Sequence, residues 1–229
     1  MLHHAKRAPM GEDVETSGDD LETSRERYEQ LLVREILHRV NSEFASAVSL
    51  ISRTTSRAVS VEAKVALGVV ADCIHAQARL NRALQMRDSG LVIDATEYFR
   101  ELCEALVDAR LASTQVNLTL SAGPVLLVSD VCWKVGMIVA ELVTNASRHA
   151  FGASGGNILV ELTISGGTVE CRVSDDGSPH KPLRSGQGLK LIEGLTDSLK
   201  GSFVQRFEPC GSTSVLFVGA NAEARTATC

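Results

Sequence analysis

The chain has 229 residues and is 44% apolar, enough for one large domain or two small ones with a packed core. Its net charge of −5 and aromatic content of 4% count against nucleic acid or an anionic membrane surface as a partner. No apolar run reaches the roughly 18 residues of a membrane span, no signal-peptide core opens the chain, and no CxxC pair occurs, so we expect a soluble, cytoplasmic protein with reduced thiols and no membrane insertion.

The first third of the chain is predicted to form a tail followed by two amphipathic helices. Residues 1–18 are polar without periodicity, which predicts a disordered tail. Asp19 and Glu22 form a possible capping box, so a long helix is expected from there. Its apolar seam repeats at spacings of three and four residues: Val33, Leu37, Val40, Phe44, Ala47 and Ile51. The seam predicted for the second helix is Val59, Ala63, Ala66, Val70, Cys73, Gln77, Leu80 and Leu84.

These two seams predict a helical hairpin over residues 19–90, with a short turn near 55–60. One such hairpin has too little core to be stable alone. We therefore expect a homodimer, in which two hairpins pair as a four-helix bundle through residues 19–90.

The remainder, 91–220, mixes helices and strands without strict alternation and ends in a flexible C-terminus at 221–229. Helices are predicted at 94–113, 130–151 and 188–199, and strands at 116–121, 125–129, 157–165, 168–175, 202–208 and 212–218. Gly166 and Gly167 mark a hairpin turn. The predicted fold class is α+β, an α/β sandwich with helices on one face of a sheet.

The helix at 130–151 carries a polar stripe. Glu141, Asn145 and Arg148 lie within about 60° of one another on its surface, next to an apolar flank. Oxygen atoms of a carboxylate and an amide suit a magnesium ion or its water, and a guanidinium suits phosphate. Considered alone, the stripe is more often a solvated helix face.

The strand at 168–175 ends in a carboxylate that is expected on the same face as the apolar residues of the strand. Val169, Cys171 and Val173 alternate on one face, so Asp175 should point inward and Asp176 away. An inward carboxylate needs a donor, which the exocyclic amine of a purine could supply. The simpler interpretation is that Asp175, Asp176 and Gly177 form an ordinary turn.

A glycine pair opens the next helix. Gly186 and Gly188 leave room for phosphate beside the free amides of a helix start. A dinucleotide fingerprint would need a third glycine where Leu191 stands, and a parallel βαβ unit around it, so a Rossmann fold is excluded.

The order of these three elements resembles the N, G1 and G2 boxes of the GHKL ATPases, which include histidine kinases, gyrase B, Hsp90 and MutL. The resemblance covers roughly residues 92–219 and implies that the chain binds ATP with Mg²⁺. It implies that Asn145 binds the magnesium ion and that Glu141 polarises the attacking group. By the same resemblance Asp175 accepts from the adenine amine, and Gly177 allows the base to approach.

The resemblance also assigns residues to the phosphates and, less strongly, to the adenine. Gly186 and Gly188 would border the phosphates, and Arg148 and His149 occupy positions that often touch them. Thr213, in the GST stretch before the last strand, is a weaker candidate near the adenine. The G1 stretch has Pro179 where a second glycine is common, and the lid at 178–187 is short.

Residues 31–51, LLVREILHRVNSEFASAVSLI, resemble the phosphoacceptor helix of the histidine kinases that carry an HRVKNNL-like box and are akin to the HWE kinases. This resemblance makes His38 the phosphoacceptor and a response-regulator receiver domain the partner. It departs from the pattern at Asn41, Ser42 and Glu43, where the family has Lys-Asn-Asn.

The expected function is thus a dimeric two-component histidine kinase that phosphorylates His38 with ATP. A histidine phosphotransfer shuttle with a docking-only ATPase-like domain is the alternative, although such shuttles usually lose the boxes retained here. An anti-sigma-factor serine kinase would leave the His38 box unexplained. Nothing in the sequence resembles a sensor domain, so an input would come from a separate sensor protein, through the tail, or not at all.

Overall fold

The computed structural model describes residues 18–85, 90–152, 155–178 and 186–219. The predicted tail up to residue 17, the predicted C-terminus at 221–229, and Pro179 with most of the expected lid therefore lie outside the described residues. Contacts divide the chain into two units, Met1–Ile36 and Leu37–Cys229. Within the described ranges no helix is both long enough and apolar enough to cross a bilayer.

Two helices open the described chain, as predicted: α1 (Gly18–Arg57) and α2 (Val61–Ala83). Between them, the Ser60 hydroxyl accepts a hydrogen bond from the Ala63 amide at 3.0 Å and caps α2. No described residue of α1 is buried. Its half-buried positions include five of the six residues of the predicted first seam: Leu37, Val40, Phe44, Ala47 and Ile51.

In its first half, the seam predicted for α2 is not the face of this helix that is covered within the single chain. Ala63, Ala66, Val70 and Cys73 are exposed, and the half-buried apolar positions are instead Leu67, Ala71 and Ile74. The reason is that α2 carries small and apolar residues on two neighbouring stripes, and a single-chain periodicity cannot choose between them. From Gln77 onward the prediction agrees with the structure, because Leu80 is buried and Leu84 half-buried.

The rest of the chain forms a five-stranded mixed sheet with helices on one face, which confirms the predicted fold class. The elements follow in chain order: β1 (Val92–Asp94), α3 (Ala95–Leu106), a π-helical turn (Val107–Leu111), β2 (Val116–Ala122), β3 (Leu126–Val128), α4 (Ser129–His149), β4 (Gly156–Ser165), β5 (Thr168–Asp175), α5 (Gln187–Ser198), β6 (Ser202–Glu208) and β7 (Gly211–Gly219). The sheet order is β2-β4-β5-β7-β6, with β2 parallel to β4 and the other pairs antiparallel.

Alternate residues along the strands of the sheet are buried beneath the helices. Val160 of β4, Val173 of β5 and Ser214 of β7 lie side by side in register and are all buried, whereas their neighbours along each strand are half-buried or exposed. The predicted hairpin turn is confirmed, since Gly166 and Gly167 have φ of 57° and 78°, values that favour glycine.

Strand β1 was not predicted from the sequence. It pairs antiparallel with β3 in a separate two-stranded sheet, and Asp94 at its end caps α3 by accepting from the amides of Thr96 and Glu97. Three residues are too few to show a strand period, and their partner lies more than thirty positions away, so only the tertiary structure reveals the pairing.

The end of α2 shares the core of the sheet domain. Leu80 is 2% exposed and belongs to the same cluster as Phe99 of α3 and Ile138 of α4. The Trp133 indole of α4 donates to the Leu84 carbonyl at 2.8 Å, just beyond the end of α2. The last turns of α2 therefore contribute directly to the stability of this domain.

We expect Leu80→Ala to lower the free energy of unfolding by about 2–5 kcal/mol, because it leaves a cavity in a shared core. Val59→Ala, at a position 98% exposed, is the control and should change it by less than about 0.5 kcal/mol. Urea unfolding followed by circular dichroism at one protein concentration measures both. Equal effects of the two substitutions would contradict a shared core.

Candidate functional site

The polar stripe predicted on α4 is present beside a buried apolar flank. Val135, Ile138 and Leu142 are buried, while Glu141 and Asn145 are half-buried. Asn145 Nδ2 donates a hydrogen bond to Glu141 Oε1 at 3.0 Å. Because that bond uses the amide nitrogen, the Oδ1 atom of Asn145 stays available as an oxygen ligand of the kind that magnesium prefers.

The start of α5 touches this pair. A Cβ atom added to Gly188 would overlap the Glu141 carboxylate, so only glycine allows α5 to approach α4 this closely while Glu141 keeps its position. Two segments separated by more than forty residues in the sequence, the predicted N and G2 boxes, therefore meet at Glu141.

The Asp175 carboxylate is half-buried, as its parity predicted, and has two donors within the protein. The Ser212 hydroxyl donates to Oδ2 at 2.5 Å, and the Gly177 amide donates to Oδ1 at 3.1 Å. A carboxylate has about four acceptor positions, so these two bonds hold Asp175 in place without using its full capacity.

The turn after Asp175 packs on the end of α4. A Cβ on Gly177 would overlap the carbonyl oxygen of Ala150, and the Ser178 amide donates to that same oxygen at 3.0 Å. The close approach explains why position 177 needs glycine. It also joins the predicted G1 turn to the helix that carries Glu141 and Asn145.

Asp176 points away from Asp175 and fastens the turn to β4. Its carboxylate accepts from the side-chain amide of Asn157 and from the Asn157 backbone amide, both at 2.7 Å. The side-chain bond is the larger cause, and the backbone bond the second, that hold the pKa of Asp176 below its usual value.

The other predicted site residues lie at the edges of this arrangement. Arg148 and His149 are exposed in the last turn of α4, where positive charge also favours the helix dipole. Gly186 is exposed at the N-cap of α5 and offers no side-chain cap to that helix. His38 is exposed on α1, and among the described residues no hydrogen bond or ion pair joins it to Glu141 or Asn145.

Ser212 is the residue that the sequence analysis missed. The register pairs Ser212 with Asp175 and Thr213 with Ser174, so Thr213 lies on the opposite face of the sheet from Asp175. Both belong to the GST stretch, which signalled the region. Choosing between them required the register of β5 and β7.

A metal ion at this site would depend on its substrate for ligands. In the parts of the chain that the structure describes, no three His, Cys, Asp or Glu side chains form a group that could hold a metal. The Asn145 amide oxygen and the nearby Glu141 carboxylate supply few protein oxygens. This set fits a magnesium ion that arrives with phosphates, since magnesium keeps water and phosphate ligands in such sites.

Two protein-family models match the chain. The model described as "Histidine kinase" matches residues 35–110, and the one described as "Histidine kinase-like ATPase domain" matches residues 99–211. Together they span His38, α4 and the turns around Asp175 and Gly188. No curated protein shows a significant match to the sequence.

Solved structures show the same fold. The histidine kinase domain of the Erythrobacter litoralis EL346 blue-light activated histidine kinase is 16% identical, with a TM-score of 0.56 over 76% of this chain and 95% of that one. The longer structure of that kinase is 15% identical, with a TM-score of 0.54 over 93% and 64%. The Acinetobacter baumannii histidine kinase AdeS is 15% identical, with a TM-score of 0.51 over 78% and 95%.

The Asp176 bonds predict a pH-dependent stability. Because the folded-state pKa is lowered, its contribution is present above the unfolded pKa of about 3.9 and is lost as the pH falls through the folded value. Asp176→Asn should therefore destabilise the protein at pH 7, and the difference from wild type should shrink below about pH 4. Melting temperatures between pH 3 and 7 measure this. Asp197→Asn on α5 is the control, and an identical pH profile for both variants would contradict the assignment.

The Gly188 contact predicts separate effects on the site and on stability. Gly188→Ala should displace the Glu141 carboxylate and weaken binding of magnesium-ATP by roughly tenfold, a loss of about 1.4 kcal/mol. Gly194→Ala, in the same helix but with open space around the added atom, should keep the affinity and stabilise α5 by about 0.5–1 kcal/mol. Calorimetric titration and thermal melting measure both. Equal affinities for the two variants would contradict the importance of the contact.

Proposed function

Because the chain belongs to the histidine kinases, we propose that His38 takes the γ-phosphoryl group of ATP and passes it to an aspartate of a response-regulator receiver domain. The observation that carries this proposal is the contact of Gly188 with Glu141, beside Asn145. It brings together the two segments that the family resemblance assigns to the phosphates and the metal.

The adenine is proposed to bind at Asp175. The Ser212 hydroxyl and the Gly177 amide orient the carboxylate, which retains acceptor positions for the exocyclic amine. Adenine offers that donor and guanine presents a carbonyl at the same position, so this arrangement favours ATP over GTP. By the family resemblance, Gly177 is proposed to allow the base to approach, and Thr213 stays the weaker candidate, because it lies on the opposite face of the sheet from Asp175.

The phosphates are proposed to extend from there toward the start of α5. The N-cap Gly186 has no side chain, so the first amides of α5 lack a side-chain cap and can donate to an anion. Arg148 and His149 are exposed in the last turn of α4, where Arg148 adds a positive charge and the His149 ring can donate a hydrogen bond. Asn145 Oδ1 would be the protein ligand of a magnesium ion, which when bound neutralises charge on the phosphates.

The proposed transfer uses the free electron pair of a neutral imidazole nitrogen of His38. That nitrogen forms a bond to the γ-phosphorus as the bond from the γ-phosphorus to the oxygen bridging to the β-phosphate breaks, and ADP leaves with that electron pair. The imidazole proton is then lost, with Glu141 as our candidate acceptor. His38 is exposed on α1, as a group must be that meets two partners in turn.

The hairpin is proposed to form a homodimer through residues 19–90, with 91–220 as the ATP-binding domain. The exposed stripe of α2 supports this, because it presents apolar side chains to solvent in the single chain. They include Val61, Val65, Val69 and Val70. The proposal also places the protein in the cytoplasm, and a separate sensor protein is one candidate source of its input.

The test is incubation with magnesium and ATP labelled on the γ-phosphorus. We expect label that is acid-labile and base-stable, as for phosphohistidine, and that moves to a receiver domain added later. His38→Gln and Asn145→Ala should each lower labelling by more than about a hundredfold, which corresponds to about 2.7 kcal/mol.

His75→Gln is the matched control, since His75 is an exposed histidine on the neighbouring helix and should leave labelling unchanged. Acid-stable label would indicate a serine kinase. No label from ATP, together with label accepted from a phosphorylated receiver, would contradict the kinase proposal and indicate the shuttle.

A further inference from the structure

Arg110 is a charged residue that the proposed ATP site does not use. It lies in the π-helical turn Val107–Leu111, which packs against α2 on one side and α4 on the other. Turns of this kind interrupt a regular helix and are frequent at functional sites. Arg110 therefore lies between the end of the hairpin and the helix that carries Asn145.

The hydrogen bonds of Arg110 go to neutral oxygen atoms and not to a carboxylate. Its Nη1 atom donates to Gln77 Oε1 of α2 at 2.6 Å and to the Ala109 carbonyl at 3.3 Å. Its Nε atom is buried and has no acceptor among the residues that the structure describes. Among the described residues no carboxylate pairs with Arg110. A half-buried guanidinium held only by neutral oxygens retains a strong preference for an anion nearby.

The positive charge of a second arginine acts on Arg110. Burial lowers the pKa of Arg110, and the charge of Arg148 on α4 lowers it further. In the described part of the chain Arg148 has no carboxylate partner either. Two neighbouring guanidinium groups repel each other unless an anion is present, so this end of α4 favours a polyanion over a neutral ligand.

We propose that Arg110 is a positioning residue for the nucleotide: held by Gln77, it adds a second positive charge behind Arg148 and strengthens binding in proportion to the charge of the phosphates. This inference rests on the proposed ATP site. Arg110 acts through its field and through Arg148, without touching the nucleotide. Because coupling is reciprocal, a bound triphosphate should also tighten the bond between the π-helical turn and α2.

A structural role would explain the same contacts in another way. Arg110 could serve only as a tie between α2 and the π-helical turn, with Arg148 placed to favour the dipole of α4. The two explanations differ for Gln77→Glu. That substitution keeps and strengthens the tie by pairing Arg110 with a carboxylate, but it cancels the positive field.

The test is calorimetric titration of the full chain with magnesium-ATP, magnesium-ADP and adenosine. We expect Arg110→Gln and Gln77→Glu to weaken ATP binding by roughly three- to tenfold, ADP binding less, and adenosine binding not at all. Arg110→Lys should restore most of the ATP affinity. Arg79→Gln is the control: Arg79 lies on the same helix as Gln77 but is paired with Asp108 at 2.9 Å, so its loss should change no affinity.

Thermal melting separates the two explanations further, because Arg110→Gln should lower the melting temperature and Gln77→Glu should raise it, although both weaken ATP binding. If both variants bind ATP within twofold of wild type, while Asn145→Ala abolishes binding, the inference is overturned and the proposed function stands. If wild type itself does not bind ATP, the proposed function fails and this inference fails with it.

Discussion

The site depends on one constraint, the close approach of α5 to α4 at Gly188 and Glu141. The two sides of helix α4 have different environments. Its apolar flank is buried against the sheet and α3, and its polar stripe must remain accessible. A side chain at position 188 would displace the Glu141 carboxylate, and with it the hydrogen bond to Asn145. The glycine thus keeps a half-buried polar pair available at the edge of a tightly packed core.

The same helix organises the other half of the site. Its C-cap residue Ala150 contacts Gly177 and accepts from the Ser178 amide, so the turn after β5 is fixed relative to α4. Asp175 is then oriented by Ser212, and Asp176 fastens the turn to β4 through Asn157. The proposed sites for the base and for the phosphates are therefore both positioned by one helix, which suits chemistry that relies on positioning.

Helix α2 of the hairpin is packed into the domain that contains the sheet. Leu80 enters the core, Trp133 bonds to the end of α2, and Gln77 bonds to Arg110 in the π-helical turn. The helix that carries the exposed apolar stripe is thereby mechanically and electrostatically connected to the helix that carries Asn145. Under the proposed function, a movement of α2 would therefore act on the helix that binds the nucleotide, and a bound nucleotide would act on α2.

Local signals in the sequence were sufficient for most of the elements. Periodicity predicted the long helices, and the glycine pair at 166 and 167 predicted the hairpin turn. The polar stripe of α4 and the inward parity of Asp175 were also predictable, whereas the roles of Glu141, Asn145, Asp175 and Gly188 stay predictions. These features depend on neighbours along the chain, where dihedral preferences and side-chain alternation act. The family resemblance rested on the same short segments.

Contacts between distant segments were decided only by the tertiary structure. The pairing of β1 with β3, the choice of Ser212 over Thr213 beside Asp175, and the inner stripe of α2 each depend on register or on which of two similar faces finds a partner. A strand's neighbour and a helix's buried face are set by the free energy of the whole packed core. No window of local sequence contains that information.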